Sequence, residues 1–299
     1  MTGAANEAAT ELARIGDTHD ILGEVPIWSV EEQALWWVNV RGPQVRRRDW
    51  KSGQVQSWEM PEMVGCFALC ADGRRLILGL KSAVALFDPV SGTFERFPAP
   101  HADQPLMRFN DGACDRQGRF WIGSMDDVNR GPVGTLYRFD SGKFIPVIVG
   151  GIVCPNSLCW SPDGTTMYFA DGVEPVIWAF PYDTATGNIG ERRLFTRLAE
   201  GTGIPDGATV DSEGYLWSAQ YGGGCIGRYA PDGHLDFTIP LPVTQPTCTA
   251  FAGEDLGTLI ITTAAQRLSP EALQRQPLAG ALLAMRVAAR GLPEPKYVA

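Results

Sequence analysis

The sequence predicts an all-β chain folded as a six-bladed β-propeller with four-stranded blades, its ring closed by an N-terminal strand. Three observations carry this. Short runs rich in β-branched and aromatic residues recur between turn formers, as in Ala34-Leu35-Trp36-Trp37-Val38, Arg75-Leu76-Ile77-Leu78-Gly79 and Thr258-Leu259-Ile260-Ile261-Thr262. A unit also repeats: a polar residue, a short strand, a turn eight residues on, then a second strand. It is clearest at Asn110 with Gly118, Asn156 with Gly164 and Asp206 with Gly214. Gly65 with Gly73 and Glu24 with Glu32 keep the spacing, and a looser copy starts at Thr247 with its turn at Asp255-Leu256-Gly257. Finally, the registers Glu24, Gly65, Asn110, Asn156, Asp206 and Thr247 are 41, 45, 46, 50 and 41 residues apart. Periods in the forties with about four strands each mark a propeller.

In chain order, each unit carries a second hairpin behind the first. In unit two it is Ala83-Val84-Ala85-Leu86-Phe87-Asp88 followed by Thr93-Phe94-Glu95-Arg96-Phe97. In unit four Val176-Ile177-Trp178-Ala179-Phe180 leads to a turn at Asp183 to Gly187. In unit five Cys225-Ile226-Gly227-Arg228-Tyr229 leads to Pro231-Asp232-Gly233. The sixth unit shows three strands, ending at Ala281 to Val287. Leu12 to Ile15 is expected to supply the fourth, because closing the ring hides two exposed sheet edges. The stretch Ser269 to Arg275 is the one short helical signal. No linker interrupts the pattern, so residues 1–299 are expected to form a single domain, with 1–11 as an N-terminal extension.

Composition narrows the function. About 44% apolar content fits a folded globular chain, and a formal charge of −9 argues against nucleic acid, which requires clustered Lys and Arg. Arg46-Arg47-Arg48 is the only basic run and is expected at the solvated end of a strand. No run of about 18 apolar residues is present, so no membrane span is expected. Met1 to Asp17 lacks the basic start and apolar block of a secretory signal. The seven cysteines contain no C-x-x-C pair and read as small buried thiols, Cys66, Cys70, Cys159 and Cys248 among them, with the cytoplasm as the expected compartment. Gly222 to Gly227 satisfies G-x-G-x-x-G but leads into strand and turn, not a helix, so it is not a dinucleotide site. There is no nucleophile elbow and no P-loop. The three histidines, His19, His101 and His234, miss the repeat register, and His101 is expected on a loop surface.

The innermost strands of a propeller line its channel, so equivalent residues at their starts meet in one ring. That ring holds Glu24, Asn110, Asn156 and Asp206, completed by Gly65 and Thr247. One Asn or Asp before a turn is ordinarily a local cap. Four polar residues at one register, two of them carboxylates with no basic residue in register, point instead to a bound cation, since burying two unpaired carboxylates is costly. Oxygen donors suit hard divalent ions such as Ca²⁺, Mg²⁺ or Mn²⁺, with zinc or iron where water completes the shell. Arg108 lies two residues before Asn110, on the same side of the strand entry. Its guanidinium either grips a polyhydroxylated or carboxylated ligand or forms a salt bridge to Asp111 or Asp126. Pro26, Pro155 and Pro205 stiffen the chain beside the ring.

Gly23-Glu24-Val25-Pro26-Ile27-Trp28, Arg108-Phe109-Asn110-Asp111-Gly112, Pro155-Asn156-Ser157 and Ile204-Pro205-Asp206-Gly207, in this order, resemble the SMP-30/gluconolactonase/regucalcin-like family. The resemblance runs from about Leu12 to Tyr297. It implies a six-bladed propeller that hydrolyses a sugar lactone to the aldonic acid, in sugar catabolism, with one divalent ion: Ca²⁺ first, then Zn²⁺, Mn²⁺, Mg²⁺ or Fe²⁺. It implies Glu24, Asn156 and Asp206 as metal ligands, Asp206 as general base, and Arg108 and Asn110 as substrate contacts. The attacking water is activated by the ion or by Asp206. Met125 is followed by Asp126-Asp127-Val128, where animal regucalcins place a substrate-holding glutamate, and Asp126 or Asp127 is the candidate for that role. The alternatives are another metal-dependent esterase or phosphotriesterase, or a non-enzymatic calcium-binding propeller. The expected partner is a small sugar lactone, and the oligomeric state is not legible.

Overall fold

The computed structural model describes residues 11–298, arranged as six small antiparallel sheets. The expectation for residues 1–11 concerns positions that, except for Glu11, lie outside the described residues. Six inner strands, Gly23–Ser29, Val64–Leu69, Met107–Cys114, Pro155–Trp160, Ile204–Val210 and Pro246–Ala252, begin blades one to six. Each contacts the next, and the sixth returns to the first, so the channel is closed. The last blade takes its outer strand from the N-terminus, with Ala13 opposite Ala284 and Arg14 opposite Leu283, which closes the ring as expected. The fourth blade departs from the pattern: the short strand Asn188–Ile189 adds a fifth member to its sheet.

Apolar side chains between neighbouring blades hold the ring. Trp36, Val38, Phe67 and Leu78 fill the space between blades one and two, and Trp28, Trp37, Ile260 and Leu282 that between six and one. Asp115 and Asp211 clamp the tight turns of blades three and five by accepting from backbone N–H groups two and four residues on. The helix Pro270–Arg275 is capped by Ser269, whose hydroxyl accepts from the Ala272 N–H. Among the described residues, no helix is long and apolar enough to cross a membrane.

Two expectations change. His101 is buried, not on a loop surface; its Nε2 lies 3.1 Å from the Lys81 carbonyl and its ring packs edge-on to Phe109. Arg46-Arg47-Arg48 occupies the body of the strand Gln44–Asp49 rather than its end, because each guanidinium finds a partner: Arg46 pairs with Asp20 at 2.8 Å, Arg47 with Glu32 at 2.7 Å, and Arg48 lies over Trp50. Cys66, Cys70 and Cys248 are buried free thiols, while Cys159 is half-buried.

The feature that positions the site is a bulge in every inner strand. Register shifts fall between Glu24 and Ile27, Val64 and Cys66, Phe109 and Gly112, Asn156 and Cys159, Pro205 and Ala208, and Pro246 and Cys248. Each coincides with a ring position. A bulge rotates its side chains out of the sheet's alternation, here toward the axis. Val25 and Ser157, immediately after two ring residues, sit at positive φ of 48° and 56°, a conformation that costs a β-branched residue energy. Close approach fixes the residue type elsewhere. A Cβ on Gly65 would lie 2.7 Å from the Asn110 carbonyl oxygen and nearer still to that of Phe109. Gly65→Ala is therefore expected to lower unfolding free energy by about 1–3 kcal/mol, measured by chemical denaturation; a wild-type value would remove the argument that blades two and three are in backbone contact.

Candidate functional site

The polar residues of the ring are joined blade to blade. The Asn110 amide nitrogen donates to Asn156 Oδ1 at 2.8 Å and to the Pro155 carbonyl at 2.9 Å. Asn156 Nδ2 in turn lies 3.4 Å from the Pro205 carbonyl, and the Ser157 hydroxyl donates to the Asp206 carbonyl at 2.5 Å. The Thr247 hydroxyl donates to the Gly23 carbonyl at 2.6 Å, tying the sixth blade to the strand that carries Glu24. Glu24, Asn110, Asn156 and Asp206 thus start four inner strands at one end of the channel. Asn156 and Asp206 are buried, and Glu24 is half-buried.

Charge distinguishes this end. Burial, and then repulsion from Asp206 and Asp111, raises the Glu24 carboxyl well above its usual range. Burial raises Asp206 likewise, aided by Asp111 and opposed by Arg108 and Arg130. Among the described residues neither carboxylate has an ion pair, whereas the buried Asp20, Asp115 and Asp211 pair with Arg46, Arg119 and Arg228. Two mutually repelling carboxylates at the same register as the Asn156 amide offer oxygen donors of the kind that suits a divalent cation. No group of three or more His, Cys, Asp or Glu placed for a metal occurs among the described residues; the donor set here is mixed carboxylate and amide.

Asp111 was not singled out from sequence as a ring residue. Its two oxygens accept from the backbone N–H groups of Gly112 and Leu158 at 2.8 and 2.9 Å. It therefore pins the bulge of the fourth blade, two residues after Asn156. Burial lifts its pKa to about 6 against those two donors. Asp111 also lines a cavity of about 60 Å³ that lies below the ring with Arg116, Thr209, Cys248 and Glu294. The C-terminal segment, whose Glu294 and Pro295 line that space, is tied to the blades: Ser212 N–H donates to the Arg290 carbonyl, Lys296 pairs with Glu31, and Val298 N–H donates to the Gly118 carbonyl.

Arg108, two residues before Asn110, is only 2% exposed and heavily engaged. Its Nη1 donates to the Phe109 carbonyl at 2.9 Å and to Asn110 Oδ1 at 2.7 Å, and its Nε lies 2.8 Å from Asp127 Oδ1. Asp127 also receives both terminal nitrogens of Arg41, at 2.6 and 2.7 Å. The salt-bridge partner of Arg108 is thus Asp127, not Asp111 or Asp126. Asp111 is held by backbone donors, and both Asp126 oxygens are taken by its own loop: the N–H groups of Val128 and Asn129 and the Asn129 amide. Asp126 shapes the loop, while Asp127 meets the arginines. Arg41 carried no sequence signal, since it lies outside the repeat register and reaches the site only through contact with Asp127, 86 residues away.

The raised carboxyls have a measurable consequence. Between the ordinary carboxylate range and the raised values, the folded chain without a bound cation holds more protons than the unfolded one, so these groups stabilise less as pH rises. For Asp111 the window runs from 3.8 to about 6, and for Glu24 and Asp206 it extends further up. In chelator, the melting temperature of Asp206→Asn minus that of the wild-type chain should therefore grow as pH is raised from about 4, and excess divalent ion should shrink the difference. A difference independent of pH would show that the carboxylates do not repel.

Residues 22–265 match the family model described as SMP-30/Gluconolactonase/LRE-like region. A 6-deoxy-6-sulfogluconolactonase of Pseudomonas putida is 38% identical over 278 residues, covering 93% of this chain and 95% of its own length. An L-arabinolactonase of Azospirillum brasilense is 36% identical over 292 residues, covering 97% and 96%. Among solved structures, a calcium-binding protein described as regucalcin, from Agrobacterium tumefaciens, superposes with a TM-score of 0.91 at 29% identity, covering 98% of this chain and 97% of that one.

Proposed function

Because the chain belongs to the SMP-30/gluconolactonase/LRE-like family and is a hydrolase of carboxylic esters, we propose that it opens a sugar lactone to the aldonic acid with one divalent ion. The observation that carries this is the pair of carboxylates, Glu24 and Asp206, which repel each other on one ring with Asn156 and have no ion pair among the described residues, in a chain similar along its length to sugar lactonases. We take residues 1–299 as one domain serving that site, with sugar breakdown as its metabolic setting and calcium as the first ion to test.

In this reading Glu24, Asn156 and Asp206 hold the ion. When bound, the ion supplies a Lewis acid that polarises the lactone carbonyl and favours charge developing on its oxygen. Asp206 accepts the proton of the attacking water; its carboxyl, raised by burial, is a stronger base than an exposed aspartate until a cation lowers it again. Asn110, its Nδ2 spent on Asn156 and the Pro155 carbonyl, offers the remaining lone pair of its Oδ1, which already accepts from Arg108, to a sugar hydroxyl. Arg108, locked by Asp127, holds that amide in place and adds positive charge close to Asp206. Asp126 contributes through the loop it closes.

Hydrolysis of aldonolactones should stop when divalent ions are removed by chelation and return on adding one back. Turnover that persists in protein shown to be metal-free would sink the proposal. Asp206→Asn should lower kcat by about a thousandfold, while Trp178→Phe, under the exposed Arg192 on a blade surface, should leave turnover intact. Phosphotriester hydrolysis exceeding lactone hydrolysis would favour the other metal-dependent esterase chemistry.

A further inference from the structure

Three guanidinium groups lie around the ring, and only two of them have a carboxylate partner among the described residues. Arg41 and Arg108 share the carboxylate of Asp127. The third, Arg130, is half-buried, and its Nε is sealed from solvent without an acceptor. Among the described residues no carboxylate pairs with it. Asp126 and Asp127, on the same loop, are engaged elsewhere. The guanidinium lies beside the Cys154 thiol, which itself contacts Asn110 at 3.6 Å and Met125 at 3.8 Å, and its charge is felt at Asp206. Arg130 is therefore half-buried beside Cys154, which precedes the ring residue Asn156 by two positions and contacts Asn110.

The backbone puts it there at a cost. Arg130 has a positive φ of 56°, unusual for a long side chain. The loop around it is well built: Asp126 clamps Val128 and Asn129 before it, and Gly131 and Pro132 bond to Val133 and Gly151 after it. A half-buried cation without a carboxylate, held in a strained conformation by an ordered loop, is poorly placed for stability and well placed for a ligand.

We infer that Arg130 is a specificity-determining residue that binds an anionic group, a phosphate, sulfonate or carboxylate, carried by the substrate lactone away from its carbonyl. The inference rests on the lactonase reading of the ring. Arg108 is the more tightly held of the two: it is 2% exposed, its Nη1 donates to the Phe109 carbonyl and Asn110 Oδ1, and its Nε lies against Asp127. Asp206 feels the charge of Arg130 but forms no ion pair with it among the described residues. A planar guanidinium meets all three anions through paired N–H donors, so the chemistry is common to them and the substrate panel separates them.

The test compares the wild-type chain, R130Q and R130K on a neutral hexonolactone and on its 6-phospho, 6-sulfo and 6-carboxy analogues, with R192Q as a distant charge-matched control. The wild-type chain is expected to prefer at least one anionic lactone, and R130Q to lower the anionic-to-neutral ratio of kcat/KM about tenfold, mainly through KM. R130K should recover part of the ratio and R192Q should not change it. Calorimetry with a hexitol 6-phosphate, which has no bond to hydrolyse, checks the anion site without turnover; R130Q should weaken that binding by about tenfold. An unchanged ratio in R130Q, a wild-type preference for the neutral lactone, or equal hexitol phosphate affinity in both proteins would overturn the inference. Tight, Arg130-dependent binding with no turnover of any lactone would overturn the lactonase reading and leave the anion site standing.

Discussion

The whole arrangement depends on one irregularity repeated around the axis. Each inner strand breaks its ladder at the residue that begins the repeat. A regular strand would alternate side chains between the two faces of a blade, both of which are packed against neighbours. The bulge turns one or two side chains out of that alternation and into the channel. Glu24, Asn110, Asn156 and Asp206 can therefore be polar on strands whose other residues are largely buried and apolar. The strain is local, at Val25 and Ser157, and inter-blade hydrogen bonds from Asn110, Ser157 and Thr247 oppose it.

Electrostatics then separates structural charge from site charge. Buried aspartates that build the fold are matched: Asp20 with Arg46, Asp115 with Arg119, Asp211 with Arg228. Glu24 and Asp206 have no ion pair among the described residues, and they repel each other. Such repulsion lowers the stability of the cation-free protein, and the fold tolerates it because six apolar interfaces surround the axis. The C-terminal segment is tied to the blades through Ser212 and Gly118, while Arg41 and Arg108 gather on Asp127.

How much could be read in advance differs by residue, for physical reasons. Glu24, Asn156 and Asp206 were legible because they share a register with turns eight residues later, and register translates directly into position around the axis. Ring closure by the stretch from Leu12 to Ile15 was likewise legible from the missing sixth-blade strand, now seen as the pairing of Ala13 and Arg14 with Ala284 and Leu283. His101 misled because a proline-flanked stretch suggests surface, yet a carbonyl and an aromatic ring satisfy the imidazole inside. Arg46 misled similarly, since its partner Asp20 lies on the preceding loop.

The sequence by itself determined the architecture and the candidate ring, because strand period, turn chemistry and a repeat in the forties are local properties that add up to a closed propeller. Tertiary structure decided what the charges around that ring do. Which of Asp126 and Asp127 meets Arg108, why Arg41 belongs to the same cluster, and why Arg130 has no carboxylate among the described residues all depend on how side chains from separate loops meet. Contacts between loops have no periodicity, so only their spatial packing assigns each guanidinium its partner.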